Sequence, residues 1–264
     1  MKKIIKVALA LNAAGILRAI RFGPREAARR LIQAYYAIDP FGKPFEVSPD
    51  TLKQLSTIPV MDINDVVTKF PIAKIDGRQQ YVDGALPHPD LMALLALLDE
   101  WKPDLVLEIG TFNGSTTAAM ALNAPRAIIH TVDLPLNFDP AQEEAGAMPK
   151  DDFHLIKQRR VGEAYASLPE IKNIVQHFAD SAKWNFAPVK GASFFFIDGA
   201  HTYEYARNDT EKCLSVAAPR SRFILHDCDD HHADVVRYVH ELVRQGYPVS
   251  RIKNTSLAFF DRKV

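Results

Sequence analysis

From residue 89 to the C-terminus, short apolar runs alternate with stretches of helical spacing, and this alternation restricts the fold more than anything else in the chain. Residues 90–101 carry Leu91, Leu94, Leu95 and Leu98 at helical intervals; residues 105–109 follow as a run of Leu, Val, Leu, Glu and Ile that stops at Gly110. The pairing recurs, with helical spacing at 115–122, 203–217 and 233–245 and apolar runs at 127–132, 174–178, 193–197 and 222–225. Runs this short and apolar suit strands covered on both faces, as in a parallel sheet whose crossovers are helices. The pattern predicts a doubly wound α/β architecture. At the end the rhythm changes: residues 248–253 and 256–261 flank Asn254 and Thr255, which predicts a closing antiparallel hairpin. The expected sheet thus has seven strands, mostly parallel.

The first 85 residues lack this rhythm and read as an N-terminal helical extension, or lid, before a domain spanning 86–264. Ala28, Leu31, Ile32 and Tyr35 have helical spacing within 25–37, and Pro40, Gly42 and Pro44 then break the pattern. Ser48, Pro49 and Asp50 offer the start of a short helix through Leu55. Lys plus Arg equals Asp plus Glu at 32 each, so no overall field favours nucleic acid, and no nucleic-acid partner is expected. The basic charge is concentrated at the start, where Lys2, Lys3, Lys6, Arg18, Arg21, Arg25, Arg29 and Arg30 face one acid, Glu26. The apolar stretch 7–17 within it is too short for a hydrocarbon core, which takes about 20 residues. Its apolar face is expected to dock on the protein itself or on a second copy in a homodimer, with peripheral membrane contact as the alternative. Cys213 and Cys228 form no CxxC pair, which points to a reducing, cytoplasmic setting.

Chemistry-bearing residues gather at the ends of the apolar runs, where open α/β sheets bind ligands. After the first comes Glu108-Ile109-Gly110-Thr111-Phe112-Asn113-Gly114-Ser115, two glycines around a turn that opens a helix. Gly110 allows a tight turn and close approach to a ligand, and Gly114 allows close helix packing. This is not the G-x-G-x-x-G of dinucleotide sites, and an acid at the strand tip suits a cationic or hydroxyl-bearing ligand better than a pyrophosphate. Asp133 closes the second run, Asp180-Ser181 follow the third, Asp198-Gly199-Ala200-His201-Thr202-Tyr203 the fourth, and His226-Asp227-Cys228-Asp229-Asp230 the fifth. A carboxylate at Asp133 can accept two hydrogen bonds from a ribose diol, and one at Asp180 can take an adenine amino group.

Over residues 86–264 the chain resembles the class I S-adenosylmethionine-dependent methyltransferases, whose Rossmann-like fold ends in the same kind of hairpin. The resemblance implies that Glu108, Gly110 and Gly114 flank the methionine moiety of S-adenosylmethionine, with Thr111, Phe112, Asn113 and Ser115 in the same cofactor-binding loop. It implies that Asp133 binds the ribose, that Asp180 and Ser181 lie on the adenine side, and that Asp198 borders the cofactor. The Asp198-Gly199-Ala200-His201-Thr202-Tyr203 stretch with Ile224-Leu225-His226-Asp227 is similar to a bacterial subgroup with an Asp-Gly-x-His-x-Tyr motif, whose members act mostly on small molecules or sugars.

The implied reaction is in-line methyl transfer to a small-molecule acceptor, with O-methylation of a hydroxyl as the leading version. Its catalytic candidates are His201 as general base, Asp198 three residues before it, and His226 as a second base. A metal-assisted version puts a divalent ion such as magnesium on Asp198 and Asp227. There the family's acid–Asn pair is replaced by Asp227-Cys228, leaving Asp229, Asp230 or His226 as substitute ligands. Acceptor choice is expected to reside in the N-terminal extension and in residues 134–160. Three other readings compete: a nucleotide-cofactor oxidoreductase, which would show G-x-G-x-x-G; a non-catalytic binding or scaffold member of the fold; and a nucleic-acid methyltransferase, which would show a basic groove.

Overall fold

The computed structural model describes residues 47–74, 84–139, 156–157 and 159–263. The expected helix at 25–37, the basic N-terminal segment and most of the 134–160 loop lie outside the described residues. Within them, β2 (Leu105–Ile109), β3 (Ile128–Asp133), β4 (Ile174–Phe178), β5 (Phe194–Ile197) and β6 (Arg220–Leu225) form parallel ladders, and β7 (Ser250–Ile252) and β8 (Ala258–Lys263) pair antiparallel. The helices are α1 (Pro49–Thr57), α2 (His88–Trp101), α3 (Ser115–Asn123), α4 (Glu163–Ala166), α5 (Tyr203–Val216) and α6 (Ala233–Arg244).

Alternation along each central strand feeds two cores, one per face. Val106, Phe194, Phe196 and Ile224 face α2 and α3, packing with Leu94, Leu95, Leu98 and Met120. Leu107, Ile109, Phe195, Ile197, Phe223 and Leu225 face the other way, packing with Ala206 of α5 and Val236, Val239 and Leu242 of α6. Phe195, Phe223 and Phe260 stack in a row, centroids 4.7 and 4.8 Å apart. Each is fully buried, and burial contributes roughly 1.5–3 kcal/mol per ring.

Among the described residues β1 (Val60–Met61) joins the sheet, pairing parallel with β7 through Val60 and Arg251; two residues leave no periodicity to read. The described sheet thus has eight strands, not seven, in the order β1-β7-β8-β6-β5-β2-β3-β4. With β1 in the sheet and α1 against α6, this part of the expected extension joins the compact unit Pro49–Val264. The β7–β8 connection is also longer than the two-residue turn expected: β7 ends at Ile252 and β8 begins at Ala258. Thr255 and Ser256 are engaged in side-chain hydrogen bonds there, to Ile252 and Asp90. Among the described residues no helix is long and apolar enough to cross a membrane.

The chain runs from β2 outward to β3 and β4, then returns to β5 on the other side of β2 and continues to β6. Strand order therefore reverses between β2 and β5, and the crevice above their carboxyl ends is where such sheets hold ligands.

Candidate active site

A cleft opens at this reversal point, lined by Gly110, Phe112, Asp133, Arg159, Ser181, Asp198 and His201, among others. Gly110 shapes it from beneath. Its φ is +97°, and a Cβ there would fall 1.8 Å from the Asp198 carbonyl oxygen, so the glycine lets the ends of β2 and β5 approach each other. Gly110→Ala combines that overlap with a left-handed backbone, and we expect a cost of at least about 3 kcal/mol. The thermal midpoint should fall by roughly 6–12 °C; a wild-type melting curve would contradict this packing.

Gly114 (φ +80°) has a related role with a different neighbour. A Cβ there would lie 2.6 Å from the Tyr165 ring, so the close packing is with α4 and not with the sheet. Thr111 is buried and bonded to Thr131, and Asn113 accepts from the Ser115 amide at the start of α3. Among the loop residues, Gly110 and Phe112 line the cleft, while Thr111, Asn113, Gly114 and Ser115 build the turn behind it.

Glu108 also sits beneath the cleft and not on its wall, with 0% exposure. Thr117 and Thr131 donate hydrogen bonds to its Oε2, while Oε1 is buried with no hydrogen-bond partner among the described residues. Burial pushes its pKa up to about 8 against those two bonds, which favours the neutral acid at pH 7. Burial thus works against the charge that the sequence places at this strand tip.

Asp133 does face the cleft. Its Oδ2 accepts from the Phe112 amide at 2.7 Å, and its Oδ1 lies 3.2 Å from Arg159 Nε. Phe112 holds a positive φ of 50°, the conformation that turns its amide toward the carboxylate. Ser181 lines the same cleft, whereas Asp180 faces a neighbouring groove with Lys183 and Trp184. Tyr205 connects the two by lining the cleft and donating to Asp180 Oδ1 at 3.2 Å. Beneath them Asp209 of α5 is almost fully buried; burial raises its pKa to about 6, opposed first by a hydrogen bond from Ser181.

At the far wall Asp198, His201, His226 and Asp227 converge. His201 is the exposed member, its side chain 25% accessible, with Nε2 2.8 Å from Asp227 Oδ2. His226 is buried among carboxylates: Nδ1 is 2.8 Å from Asp198 Oδ1 and 3.1 Å from Asp227 Oδ2, and Nε2 is 3.3 Å from Asp90 Oδ2. Burial opposes a charge on this ring, but Asp198 and Asp227 outweigh it and hold the pKa well above the ordinary histidine value. A ring that favours its protonated form is a poorer proton acceptor than the more exposed His201. Asp227 itself sits at φ 59°, a left-handed position that costs a non-glycine residue about 1–3 kcal/mol.

The expected magnesium ligands are thus brought together: ligand atoms of Asp198, His226 and Asp227 lie within 4.8 Å of one another, as do those of His201, Asp227 and His232. A hard ion that seeks six oxygen ligands is poorly served by two carboxylates and a buried nitrogen. The suggested substitutes do not repair the set. Burial pushes the Cys228 thiol up to about 12; Asp229 accepts from the His231 amide and lies 2.9 Å from His232 Nδ1; Asp230 is 3.5 Å from His231. The residues present do not fit magnesium.

Residues 107–228 match a family model described as a methyltransferase domain. This segment runs from within β2 to just past β6, takes in the acids at their ends, and supports a methyltransferase enzyme. Solved structures with a similar fold include the O-methyltransferase TomG from Streptomyces achromogenes in complex with SAM, at 15% identity, covering 77% of this chain and 96% of that one, TM-score 0.49. SAH-bound PaMTH1 from Podospora anserina is similar at 10% identity, 83% and 89% coverage and TM-score 0.49. Cofactor-bound Rv0187 from MTB is similar at 13% identity, 88% and 97% coverage and TM-score 0.48. No curated protein matches the chain in sequence.

Proposed function

We propose that the protein transfers a methyl group from S-adenosylmethionine to a hydroxyl of a small molecule, with His201 as general base and without magnesium. The observation that carries this reading is the His201–Asp227 pair at the mouth of a cleft whose other wall presents Asp133.

Bound S-adenosylmethionine would supply a methyl group on a positively charged sulfur. Asp133 is placed to accept from its ribose diol, Ser181 and Tyr205 to border the adenine end, and Gly110 and Asp198 to border the methionine end. The neutral Glu108 below the loop has a buried oxygen to spare, and a carboxyl group there leaves the pocket without excess repulsion toward the cofactor's own carboxylate. Asp227 accepts from His201 Nε2, which selects the tautomer whose basic nitrogen is Nδ1. His201 then takes the hydroxyl proton as the new oxygen–carbon bond forms and the carbon–sulfur bond breaks, with that bond's electron pair returning to sulfur. His226, held as a cation between Asp198 and Asp227, fixes both carboxylates and partly offsets their charge. The acidic rim of Asp133, Asp198 and Asp227 disfavours a polyphosphate chain and supports a small acceptor.

Incubation with methyl-tritiated S-adenosylmethionine and a panel of hydroxylated small molecules should place label in a small-molecule product. Prolonged treatment with EDTA should change the rate by less than about twofold, since His201 needs no ion to accept a proton. Label appearing only in nucleic acid or protein contradicts the acceptor class. A rate that collapses on chelation and returns with magnesium contradicts the metal-free mechanism.

A further inference from the structure

The cleft contains one buried cation that the proposed reaction does not use. Arg159, its side chain only 6% exposed, lies on the stretch of chain leading into α4, with Nε 3.2 Å from Asp133 Oδ1. The rest of its guanidinium is committed to backbone: Nη1 donates to the Ile156 carbonyl at 2.8 Å, and Nη2 to those of Leu134 and Pro135 at 3.2 and 3.1 Å. These bonds fix the guanidinium against the exit of β3, immediately beside the carboxylate. Nε is buried and has no hydrogen-bond acceptor of its own among the described residues, so its contact with Asp133 is one of charge.

We propose that Arg159 is a cofactor-positioning residue: paired with Asp133, it holds that carboxylate in the form and orientation that a ribose diol requires. This inference rests on the reading of the cleft as an S-adenosylmethionine site. Burial drives the Asp133 pKa upward, and Arg159 is the largest influence opposing it, ahead of the amides of Phe112, Leu134 and Thr111. Among the described residues, Glu108 on β2 and Tyr165 on α4 also feel Asp133, and neither is a cation. Without the guanidinium, the acid would tend to take up a proton and lose an acceptor site.

The test measures S-adenosylmethionine affinity by calorimetry across pH 5.5–8.5 for wild type, Arg159→Met, Arg159→Lys, Asp133→Asn and the Arg159→Met/Asp133→Asn double variant. Arg159→Met should weaken binding about tenfold or more at pH 7, on the scale of losing one charge-assisted contact. Because an acid is ionised above its pKa, affinity in this variant should recover as pH rises, and its midpoint should lie at least about one pH unit above that of wild type. Arg159→Lys, which keeps the charge, should restore the wild-type pH profile in most part. In the Asp133→Asn background the additional Arg159→Met change should have little effect. A purely structural role would weaken binding equally at every pH and in both backgrounds, and that result would overturn the proposal. So would unchanged or tighter binding by Arg159→Met, which would make the guanidinium a plug. If Arg159→Met does not fold, the Lys variant's pH profile and its coupling to Asp133→Asn decide the matter. Failure of wild type to bind S-adenosylmethionine at all would instead remove the underlying reading of the cleft.

Discussion

Asp133→Ala is expected to weaken S-adenosylmethionine binding by at least about tenfold, or roughly 1.4 kcal/mol and more. The carboxylate is fixed from two sides, by the Phe112 amide at 2.7 Å and Arg159 at 3.2 Å, and it faces the cleft at the carboxyl end of β3. Removing it deletes the acceptor for the diol and also leaves the Arg159 charge buried beside an empty position, so two penalties combine. Calorimetric titration of the purified variant measures this directly, and unchanged affinity would contradict the assignment of the ribose subsite.

The second large effect is expected at His201. His201→Gln should lower kcat by about 10²–10⁴-fold, the usual contribution of a positioned general base. S-adenosylmethionine affinity should stay within about twofold, because the imidazole pairs with Asp227 and packs on His232, away from Asp133's contacts with Phe112 and Arg159. Steady-state kinetics with the best acceptor, together with binding titrations, separates the two quantities. A variant that loses cofactor affinity and retains kcat would identify His201 as a binding residue. His226→Gln provides the contrast. Its ring lies among Asp90, Asp198 and Asp227, so the loss should appear mainly as reduced stability of the β6 end.

The sheet was legible because burial on both faces leaves short, nearly unbroken apolar runs such as those of β2 and β5. The row of acids was legible for the same reason: a strand that ends at a polar residue marks its own carboxyl end, and parallel strands bring those ends together. Asp133, Asp198 and His201 thus line one cleft, and Asp227 pairs with His201 beside it. The two-residue β1 carries too few side chains to show a period. Glu108 belongs to a run that is apolar on both faces, so nothing in the local pattern tells whether its carboxyl points into the cleft or under the loop. Only the pleat of β2 against β3, with Glu108 opposite Thr131, decides that.

Asp90 and Arg159 were invisible for a different reason, since their roles come from distant partners. Asp90 accepts from Ser256, 166 positions away, and approaches His226 through its remaining contact. In sequence it is one acid in the first turn of α2, where an acid is ordinary. Arg159 follows a stretch of sequence with no hydrophobic periodicity, and its value appears only when β3 delivers Asp133 to it. The same holds for His226. Its sequence position next to Asp227 suggests a second base or a metal ligand, and only the structure shows Asp198 and Asp227 placed to raise its pKa.

The most direct test of a cofactor site at the β2–β5 reversal is a crystal soaked with S-adenosylhomocysteine. Density for the nucleoside should fill the cleft, with the ribose hydroxyls within hydrogen-bond reach of Asp133 and the sulfur on the side of Asp198 and His201. A fully soaked crystal with density elsewhere, or with an empty cleft at ligand concentrations that saturate a control methyltransferase, would contradict it.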